Sequence, residues 1–468
     1  MQFQPPASMT LIPYPRLLIS AARKSSGKTL LTLGLAGALR DQGKTVRLYK
    51  KGPDYIDPMW QKAVSGQDSF NLDAYLMGLP ACRESFLSHS LGMDLSLIEG
   101  NLGLHDGIDP EGEFSSASLA RHLEAPVILL LDSTGTNRNL AAIAFGLQKF
   151  DPRVPVRGVV LNNVRGPRQE QKQVQAIESY CGLPVLGAIP SLEAPVILER
   201  HLGLITPREE DRAATILETL RNLVAAHVDL GRVLALAQAA VPMEPLAEHR
   251  SAPPAPSVRI GVAMDPAFCF YYPDNLAALR AHGAELVPFN TLTDPALPPV
   301  DALYLGGGFP ESFLTELEAN ASLRADIAAQ IEGGLPAYAE CGGMMYLTRS
   351  ITREGRTGRM AGVIPADVVF QPRPVGFGYA ELAPRSEGGW FRLGREIRAH
   401  EFHYSRLINP SPDLRFFYEV KRGAGMGAQV DGILHKNLLA SYAHLHTATV
   451  PEWSRDLVAI ALAHRSRS

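Results

Sequence analysis

The chain has 468 residues, of which 46% are hydrophobic and 20% are charged, and its formal net charge is −3. A chain of this length has room for two or three domains, each with a sizeable core. Because the charges form no basic block, the composition argues against nucleic acid and anionic membranes as partners.

The sequence also argues against a membrane span and a disulfide framework. The longest apolar runs, such as Val127–Leu131, are far too short to cross a bilayer. Residues 1–15 contain two adjacent prolines and no sustained hydrophobic segment, so a signal peptide is not expected. The four cysteines are scattered without CxxC spacing, which disfavours disulfides and structural zinc and favours a reducing cytoplasm.

The first part of the chain has the pattern of a parallel α/β domain. Continuous apolar runs alternate with amphipathic stretches, as a parallel sheet covered on both faces requires. We place this domain at residues 15–235 and a Pro-rich linker at 236–256. The predicted strands are Arg16–Ser20, Thr45–Tyr49, Ser96–Glu99, Val127–Asp132, Gly158–Asn162 and Val185–Pro190.

A phosphate-binding loop is predicted between the first strand and an amphipathic helix over Leu30–Leu39. Gly27, Lys28 and Thr29 supply the second half of a P-loop, in which amides and a lysine bind phosphate and a hydroxyl binds Mg²⁺. Ala22 replaces the first glycine of the motif, but the strand before it and the helix after it provide the expected context. That context disfavours the alternative, a chance Gly-Lys-Thr turn.

Acidic residues follow the strands beside this loop. Asp54 and Asp57 lie in a proline-bounded turn, Glu99 ends a strand, and Asp106 follows it. Acidic groups at the carboxyl ends of parallel strands are placed to hold Mg²⁺ and a reacting phosphoryl group. Each is also compatible with a turn or helix cap, and Asp132 is a further candidate for a metal or water contact.

A second α/β domain is predicted over residues 257–460. It opens with the strand Val258–Ala263, and a later strand, Asp301–Leu305, leads into three consecutive glycines. The sequence therefore predicts an α/β fold made of two doubly wound domains.

The most informative segment of this second domain is a short apolar run that ends in Cys341, after which two glycines open a predicted helix. This is the pattern of a nucleophile elbow, a tight strand-to-helix turn that exposes one side chain. A helix N-terminus favours a thiolate, so we expect Cys341 to be a good nucleophile near neutral pH. The alternative is a buried structural cysteine.

A nucleophilic cysteine needs an oxyanion hole and a base. The successive amides of Gly307 and Gly308 form a candidate anion-binding nest, and the Gly342 amide is the natural second donor. The pattern leaves the base open among His400, His403, His444 and His446. His400 and His403 are better suited to a structural or substrate-contacting role than to zinc binding.

Together, these motifs resemble those of the cobyrinic acid a,c-diamide synthase family over nearly the whole chain. The matching segments are SSGKT at Ser25–Thr29, KGPDYIDP at Lys51–Pro58, NLD at Asn71–Asp73, EG and GLHDG within Glu99–Gly107, ERHLGL at Glu199–Leu204, LGGGFPE at Leu305–Glu311, YAECGGMMYL at Tyr338–Leu347, HEFHYS at His400–Ser405 and SYAHLH at Ser441–His446.

The resemblance implies a glutamine-dependent amidoligase, with a dethiobiotin synthetase-like P-loop domain followed by a class I type glutamine amidotransferase domain. It implies that ammonia is released from glutamine through a thioester at Cys341, with His444 as base. ATP and Mg²⁺ then convert a carboxylate of a tetrapyrrole into an acyl phosphate, which ammonia attacks, since a carboxylate is inert to amines until its oxygen becomes a good leaving group. The implied partners are glutamine, ATP and a tetrapyrrole polycarboxylate, in a cytoplasmic monomer or homodimer.

The resemblance also implies roles for residues of the first domain. Thr29, Glu99 and Asp54 would hold Mg²⁺. The implied ATP-binding residues are Ser25, Ser26, Gly27, Lys28 and Thr29, and those for the substrate and phosphoryl transfer are Asp54, Tyr55, Asp57 and Asp106.

Three features depart from the family pattern. Arg23 lies where ATPases of the partitioning type carry an extra lysine, beside the replaced glycine at Ala22. His446 stands where ordinary class I amidotransferases have the glutamate of their triad, which favours a Cys-His dyad. Asn101–Leu102 is more similar to relatives that amidate sirohaem or a sirohydrochlorin, so the ring stays open among cobyrinate, hydrogenobyrinate and the sirohaem type.

A hypothesis from a different functional class is that the chain is a P-loop scaffold or regulatory protein with a degenerate amidotransferase domain. The intact Lys28, Thr29, Cys341 and His444 argue against it, because nothing forces a scaffold to keep nucleophile and base together.

Overall fold

The chain divides into two units, Met1–His249 and Arg250–Ser468. A computed structural model describes residues 11–192, 199–200, 203–246, 254–385, 390 and 395–466. Residues 247–253 of the predicted linker, and His201 and Leu202 of the ERHLGL motif, lie outside this range. The predicted domain limits remain predictions. Met243, in the predicted linker, exchanges backbone hydrogen bonds of 2.9 and 3.0 Å with Ile12 of the first unit.

The first unit alternates strands and helices. Its strands are β1 (Arg16–Ala21), β2 (Val46–Lys51), β3 (Phe70–Leu72), β4 (Leu95–Glu99), β5 (Val127–Asp132), β6 (Val156–Val164), β7 (Val185–Pro190), β8 (Glu199–Arg200) and β9 (Gly203–Leu204). Its helices are α1 (Lys28–Asp41), α2 (Ile56–Ser65), α3 (Ala74–Met77), α4 (Leu79–Ser90), α5 (Ser116–His122), α6 (Asn139–Phe150), α7 (Pro167–Cys181), α8 (Ala213–His227) and α9 (Leu230–Gln238).

Seven strands of this unit form one sheet in the order β3-β2-β4-β1-β5-β6-β7, and every pairing in it is parallel. The continuous apolar runs of β1 and β5 are buried along the sheet, which confirms the parallel α/β prediction. In the register of β4, Glu99 is the partner of Ile19 on one side and of Lys50 on the other. The carboxyl ends of β1, β2 and β4 therefore lie side by side.

The second unit combines a parallel α/β core with many antiparallel strands. Its strands are β10 (Val258–Ala263), β11 (Phe268–Phe270), β12 (Ala284–Phe289), β13 (Ala302–Leu305), β14 (Gly307–Gly308), β15 (Ala337–Glu340), β16 (Thr348–Arg353), β17 (Arg356–Arg359), β18 (Ile364–Phe370), β19 (Gly376–Pro384), β20 (Ile397–His403), β21 (Ser405–Ile408), β22 (Arg415–Arg422), β23 (Val430–His435) and β24 (Leu438–Ser441). Its helices are α10 (Pro273–Ala281), α11 (Leu314–Ala319), α12 (Ala321–Glu332), α13 (Gly342–Leu347) and α14 (Pro451–Arg465), with a 3₁₀ turn at Pro310–Ser312.

The main sheet of this unit has the order β12-β10-β13-β15-β24-β23-β22-β19-β20. The pairings from β12 to β24 are parallel, and those from β24 to β20 are antiparallel. The strand β15 lies between β13 and β24, so the turn after it lies beside the ends of both neighbours. The predicted α/β class is confirmed, with an antiparallel extension that the sequence analysis did not predict.

The extension escaped prediction because its strands are not continuous apolar runs. In β19, partly exposed and exposed residues interrupt the buried ones, as expected for a strand with only one covered face. A search for buried parallel strands passes over such a pattern.

Across the part of the chain that the structure describes, no helix has both the length and the apolar character needed for a membrane span.

The packing of α1 against α8 gives a test of the first unit. A Cβ added at Gly34 in α1 would lie 2.3 Å from Cγ2 of Val224 and 2.7 Å from the Leu220 carbonyl oxygen, both in α8. We expect Gly34→Ala to lower the free energy of unfolding by about 1–3 kcal/mol. The added methyl group would lie too close to the Leu220 carbonyl oxygen, and a backbone atom cannot move aside as easily as the end of a side chain. Denaturant unfolding of the purified protein measures the change.

The matched control is Gly146→Ala in α6, where an added Cβ meets nothing within 4 Å. It should raise the free energy of unfolding by up to about 1 kcal/mol, since alanine favours a helix over glycine. Equal effects of the two substitutions would contradict the close α1–α8 contact.

Candidate active sites

The predicted P-loop lies between β1 and α1 and is held in place by β6. Ser25 and Gly27 have positive φ angles of 54° and 95°. Asn162 in β6 donates from Nδ2 to the Ser26 carbonyl oxygen over 2.8 Å. A Cβ at Gly27 would lie 2.4 Å from this Nδ2, so the close approach of β6 requires glycine.

Lys28, at the start of α1, is buried within this loop. Its Nζ donates to the carbonyl oxygens of Leu102, at 2.8 Å, and Arg23, at 3.2 Å. Burial, together with the nearby Lys50 ammonium, lowers the pKa of Lys28 to about 8. Phosphate oxygens in the loop would favour its charged form.

Asp132, a candidate for a metal or water contact, is instead paired with Arg23. The Arg23 Nη2 donates to Oδ2 of Asp132 over 2.7 Å, and Oδ1 of Asp132 accepts from the Thr134 amide at 3.0 Å. The carboxylate therefore stabilises the turn after β5 and forms an ion pair beside the P-loop.

A cluster of polar side chains lies where β2 and β4 end beside α1. Thr29 donates from Oγ1 to Oε1 of Glu99 over 2.7 Å. Lys50 donates to the same Glu99 oxygen over 2.8 Å and also pairs with the carboxylate of Asp57. Gln61 in α2 donates from Nε2 to the other oxygen of Glu99 over 2.9 Å. We call Thr29, Lys50, Asp57, Gln61 and Glu99 the acidic cluster.

The charged groups of the cluster are buried and paired with one another. Burial raises the pKa of Glu99, which lies fully inside the unit. Although burial disfavours the charged form of Lys50, the carboxylates of Asp57 and Glu99 hold its pKa above the ordinary value. Lys50 therefore carries the positive charge that these two buried acids require.

Asp54 lies in the predicted turn, whereas Asp57 lies in the helix that follows it. Asp54 lies in the turn, where Oδ1 accepts from the amides of Ile56, at 2.9 Å, and Asp57, at 3.0 Å. Asp57 lies in the first turn of α2, after the buried Tyr55. Burial and the nearby Asp57 charge raise the pKa of Asp54 to about 7.

Asp106 approaches the P-loop from the segment after β4. It is exposed, and its Oδ2 accepts from the Gly103 amide over 3.0 Å. Its charge is one of those that act on Lys28. The structure thus brings Asp54, Asp57 and Asp106 to the same edge of the sheet as Lys28.

The residues near Thr29 fit a magnesium ion that arrives with a nucleotide. In the described ranges, no group of three or more His, Cys, Asp or Glu is arranged to hold a metal by its own side chains. Mg²⁺ at nucleotide sites commonly uses one or two protein oxygens, with phosphates and waters as the remaining ligands. The Thr29 hydroxyl and the Glu99 carboxylate, 2.7 Å apart, are donors of that kind.

In the second unit, Cys341 forms the predicted elbow between β15 and α13. Its φ and ψ angles are 44° and −102°, outside the regions that L-residues adopt readily. The Cys341 amide donates to the Ser441 carbonyl oxygen at the end of β24 over 2.7 Å. This bond fixes the turn to the neighbouring strand.

Glycines allow other segments to approach the elbow closely. A Cβ at Gly343 would lie 2.2 Å from the Leu305 carbonyl oxygen, and a Cβ at Gly342 would lie 2.9 Å from the Gly308 nitrogen. A Cβ at Gly307 would lie 2.6 Å from Cε1 of His444. Of the predicted oxyanion glycines, Gly308 therefore lies against the elbow and Gly307 against His444.

In the free protein, burial opposes the thiolate that the sequence predicts at Cys341. Burial, followed by the charge of Glu311, raises the pKa of the Cys341 thiol well above its ordinary value. The adjacent Gly342 amide lowers it, but burial outweighs this effect. The cysteine is thus a thiol that needs a base to remove its proton.

The other candidate bases have structural partners. His446 accepts from the Ala448 amide at Nδ1 over 3.1 Å and lies 3.6 Å from Asp274. The His403 ring stacks on Tyr442, with centroids 3.8 Å apart.

His400, in β20, supports His444 through an isolated β-bridge. The two residues exchange backbone hydrogen bonds, at 2.8 and 3.3 Å, and their rings stack with centroids 4.8 Å apart. Burial, together with His444 and His446, holds the pKa of His400 well below its usual range. A neutral His400 adds no charge beside His444.

The sequence analysis missed three side chains. Lys50 and Gln61 complete the acidic cluster, and Glu340 lies next to Cys341 with its side chain buried. The available signal for Lys50 and Glu340 was a charged residue at the end of an apolar strand.

Comparisons with known proteins agree with a nucleotide-binding first unit and a second unit that carries a cysteine site. Residues 18–201 match the CobQ/CobB/MinD/ParA nucleotide binding domain family, and residues 259–451 match the CobB/CobQ-like glutamine amidotransferase domain family.

Similar full-length proteins carry the name cobyrinate a,c-diamide synthase. The protein from Magnetococcus marinus is 45% identical over 95% of this chain and 97% of its own length. The protein from Archaeoglobus fulgidus is 38% identical over 97% and 99%, and that from Listeria monocytogenes is 38% identical over 92% and 96%.

The acidic cluster predicts a pH-dependent cost for losing Lys50. We expect Lys50→Met to lower the free energy of unfolding by about 3 kcal/mol near pH 8, because it leaves buried carboxylates unpaired. Burial raises the pKa of Glu99 in the folded state, so its uncompensated charge destabilises at high pH. The loss should shrink as falling pH protonates it.

The control is Lys62→Met, which removes the partner of Asp68 in an exposed pair with an N–O distance of 2.7 Å. It should cost less than about 1 kcal/mol at either pH. Denaturant unfolding at pH 8 and pH 5 measures both variants, and equal, pH-independent losses would contradict the cluster.

Proposed function

Because the chain belongs to the cobyrinate a,c-diamide synthase family of glutamine-dependent amidoligases, we propose that it amidates the a and c acetate side chains of cobyrinate or hydrogenobyrinate. ATP activates each carboxylate, and glutamine supplies the nitrogen. The observation that carries the proposal is that one chain holds two sites. One is a P-loop with a buried carboxylate at Thr29, and the other is a cysteine elbow beside His444.

In the glutaminase reaction, Cys341 Sγ attacks the side-chain amide carbon of glutamine. His444 takes the thiol proton and returns it to the departing ammonia, and water then hydrolyses the thioester to glutamate. The raised pKa of the thiol supports the need for this base. The amides of Gly307, Gly308 and Gly342 are proposed to donate to the oxyanion.

In the amidation reaction, a carboxylate oxygen of the tetrapyrrole attacks the γ-phosphorus of ATP, and ADP leaves. Ammonia then attacks the acyl carbon of the acyl phosphate, and inorganic phosphate leaves. We propose that the loop over Ser25–Thr29 binds the nucleotide, and that Lys28 balances charge on the transferring phosphoryl group. Mg²⁺, held by Thr29, Glu99 and Asp54, would supply further charge neutralisation.

The acidic residues of the first unit are proposed to face the substrate side of this centre. Asp54, Tyr55, Asp57 and Asp106 are assigned to substrate and phosphoryl transfer. The support is their position at one edge of the sheet and the charge that Asp106 exerts on Lys28. Asp54, whose pKa is about 7, becomes a better cation ligand as the pH rises above that value.

We place the reaction in the reducing cytoplasm, in a monomer or homodimer. The four cysteines are free thiols, and a nucleophilic thiol is preserved where glutathione and thioredoxin prevent oxidation.

Sirohaem is the competing ring, and the feature that favoured it has a local explanation. The Asn101 side chain accepts from the Leu102 amide over 2.8 Å, and Leu102 has a positive φ of 51°. The Leu102 carbonyl in turn accepts from Lys28. Asn101 thus shapes the loop beside Lys28, so its presence is weak evidence on the ring.

Mass spectrometry of the reaction products tests the substrate. The purified protein is incubated with ATP, Mg²⁺, glutamine and either cobyrinic acid or sirohaem. Each conversion of a carboxylate to an amide lowers the product mass by about one unit, since OH is replaced by NH₂. We expect two such steps on cobyrinic acid. Conversion of sirohaem alone would contradict the proposed ring but not the chemistry.

A choice of nitrogen source tests the thiol site. We expect Cys341→Ser to lose at least about 100-fold of the glutamine-dependent rate while keeping the ammonia-dependent rate, because only ammonia release needs the thiolate. The matched control is Cys181→Ser, a buried cysteine of the first unit, which should keep both rates. Equal loss of both rates in the Cys341 variant, or loss of neither, would contradict the assignment of Cys341 as the glutaminase nucleophile.

The P-loop lysine gives the complementary test. Lys28→Met should lower amidation at least about 100-fold with either nitrogen source, because the charge that balances the phosphoryl group is lost. Lys44→Met serves as control, since this partly exposed lysine follows the opposite end of α1. Rates are measured as ADP release with saturating substrate, and an active Lys28 variant would contradict the assigned nucleotide site.

A further inference from the structure

A buried carboxylate lies beside the proposed base in the second unit. Glu340 ends β15, immediately before the nucleophile, and its side chain is 1% exposed. Its Oε2 lies 3.5 Å from Nδ1 of His444. The two residues are 104 positions apart in sequence and meet because β15 and β24 are neighbours.

Three donors fix the orientation of this carboxylate. Tyr338 donates its hydroxyl to Oε1 over 2.9 Å, and the Leu445 amide donates to the same oxygen over 3.0 Å. Tyr304 donates its hydroxyl to Oε2 over 3.2 Å. The Oε2 atom is thereby directed at the His444 ring by contacts from β13, β15 and the segment after β24.

We propose that Glu340 is the positioning residue of the glutaminase site, which holds His444 in the tautomer that can accept the Cys341 proton. The inference rests on the proposed function. It replaces the expectation of a Cys-His dyad with a Cys-His-Glu set whose acid comes from the residue before the nucleophile. In ordinary class I amidotransferases the acid is two residues after the histidine, where this chain has His446.

The chemistry follows from which ring nitrogen carries the proton. With Nδ1–H directed at the Glu340 carboxylate, the lone pair of Nε2 is available for the thiol proton. When His444 becomes an imidazolium, the adjacent negative charge stabilises it. Both effects favour proton removal from a thiol whose pKa burial has raised.

Among the residues that the structure describes, three other titratable groups near this site have different roles. His400 stacks on the His444 ring, but an imidazole supplies no negative charge, and the low pKa of His400 keeps it neutral. Asp274 lies 3.6 Å from His446 rather than from His444. Glu311 acts on Cys341, where its charge raises the thiol pKa.

The first test is Glu340→Gln, with glutamine hydrolysis followed as a function of pH. An amide NH₂ directed at Nδ1 favours the Nε2–H tautomer, which cannot accept the thiol proton. We expect kcat for glutamine hydrolysis to fall at least about 100-fold, as for an acid that orients a catalytic histidine. The acid limb of the residual profile should move to lower pH because the imidazolium loses its partner. Ammonia-dependent amidation should stay within about twofold.

The conservative variant separates charge from shape. Glu340→Asp keeps the negative charge on a shorter side chain, so it should recover part of kcat and keep the acid limb near its wild-type position. The matched control is Glu401→Gln, which neutralises a second buried glutamate, 3.6 Å from His403. We expect it to leave the pH profile of glutamine hydrolysis unchanged.

A measurement on the wild-type protein does not depend on the folding of any variant. Nitrogen-15 NMR of histidine-labelled protein, with His444 assigned by its loss in His444→Asn, reports which ring nitrogen is protonated. We expect the Nδ1–H tautomer. The Nε2–H tautomer in the wild type, an unchanged rate and pH profile in Glu340→Gln, or equal loss of ammonia-dependent and glutamine-dependent activity would overturn the inference. A wild-type protein that hydrolyses no glutamine would instead overturn the proposed function, and this inference with it.

Discussion

The register of β4 between β1 and β2 is the constraint on which the first unit depends. It makes Glu99 the neighbour of both Ile19 and Lys50, at the strand ends where α1 begins. A fully buried carboxylate is stable only with a compensating charge and hydrogen bonds, and Lys50, Thr29 and Gln61 provide them. A shift of register by one residue would place Glu99 on the opposite face of the sheet and separate it from all three.

The second unit follows the same rule with a different chemistry. Its central strand β15 ends between β13 and β24, so the elbow at Cys341 lies beside the glycines that follow β13 and the histidine that follows β24. In both units the functional groups come from the carboxyl ends of adjacent parallel strands, where open α/β sheets bind ligands. Side chains distant in sequence meet there without long connecting loops.

The sequence was sufficient for features that are local. Continuous apolar runs such as Val127–Leu131 mark buried parallel strands, and the Gly27–Thr29 segment carries its own context of strand and helix. The pKa of the Cys341 thiol could not be predicted from the local sequence. Burial and the charge of Glu311, thirty residues before Cys341, outweigh the effect of the helix terminus on this pKa. Glu340 was overlooked for the same reason: its partner His444 is far away in sequence, and a single acidic residue at a strand end does not reveal what it faces. The roles assigned to individual site residues remain predictions.

The backbone of Cys341 has a consequence for how this protein can change. Its φ of 44° with ψ of −102° suits glycine better than a residue with a side chain, and such a conformation costs on the order of 1–3 kcal/mol. A sequence search that rewarded only stability would therefore choose glycine at this position and remove the thiol. Selection for robustness and selection for glutamine use oppose each other at one residue. Directed evolution of this protein for stability therefore needs a screen in which glutamine is the sole nitrogen source. Such a screen accepts a more stable variant only if it keeps the thiol.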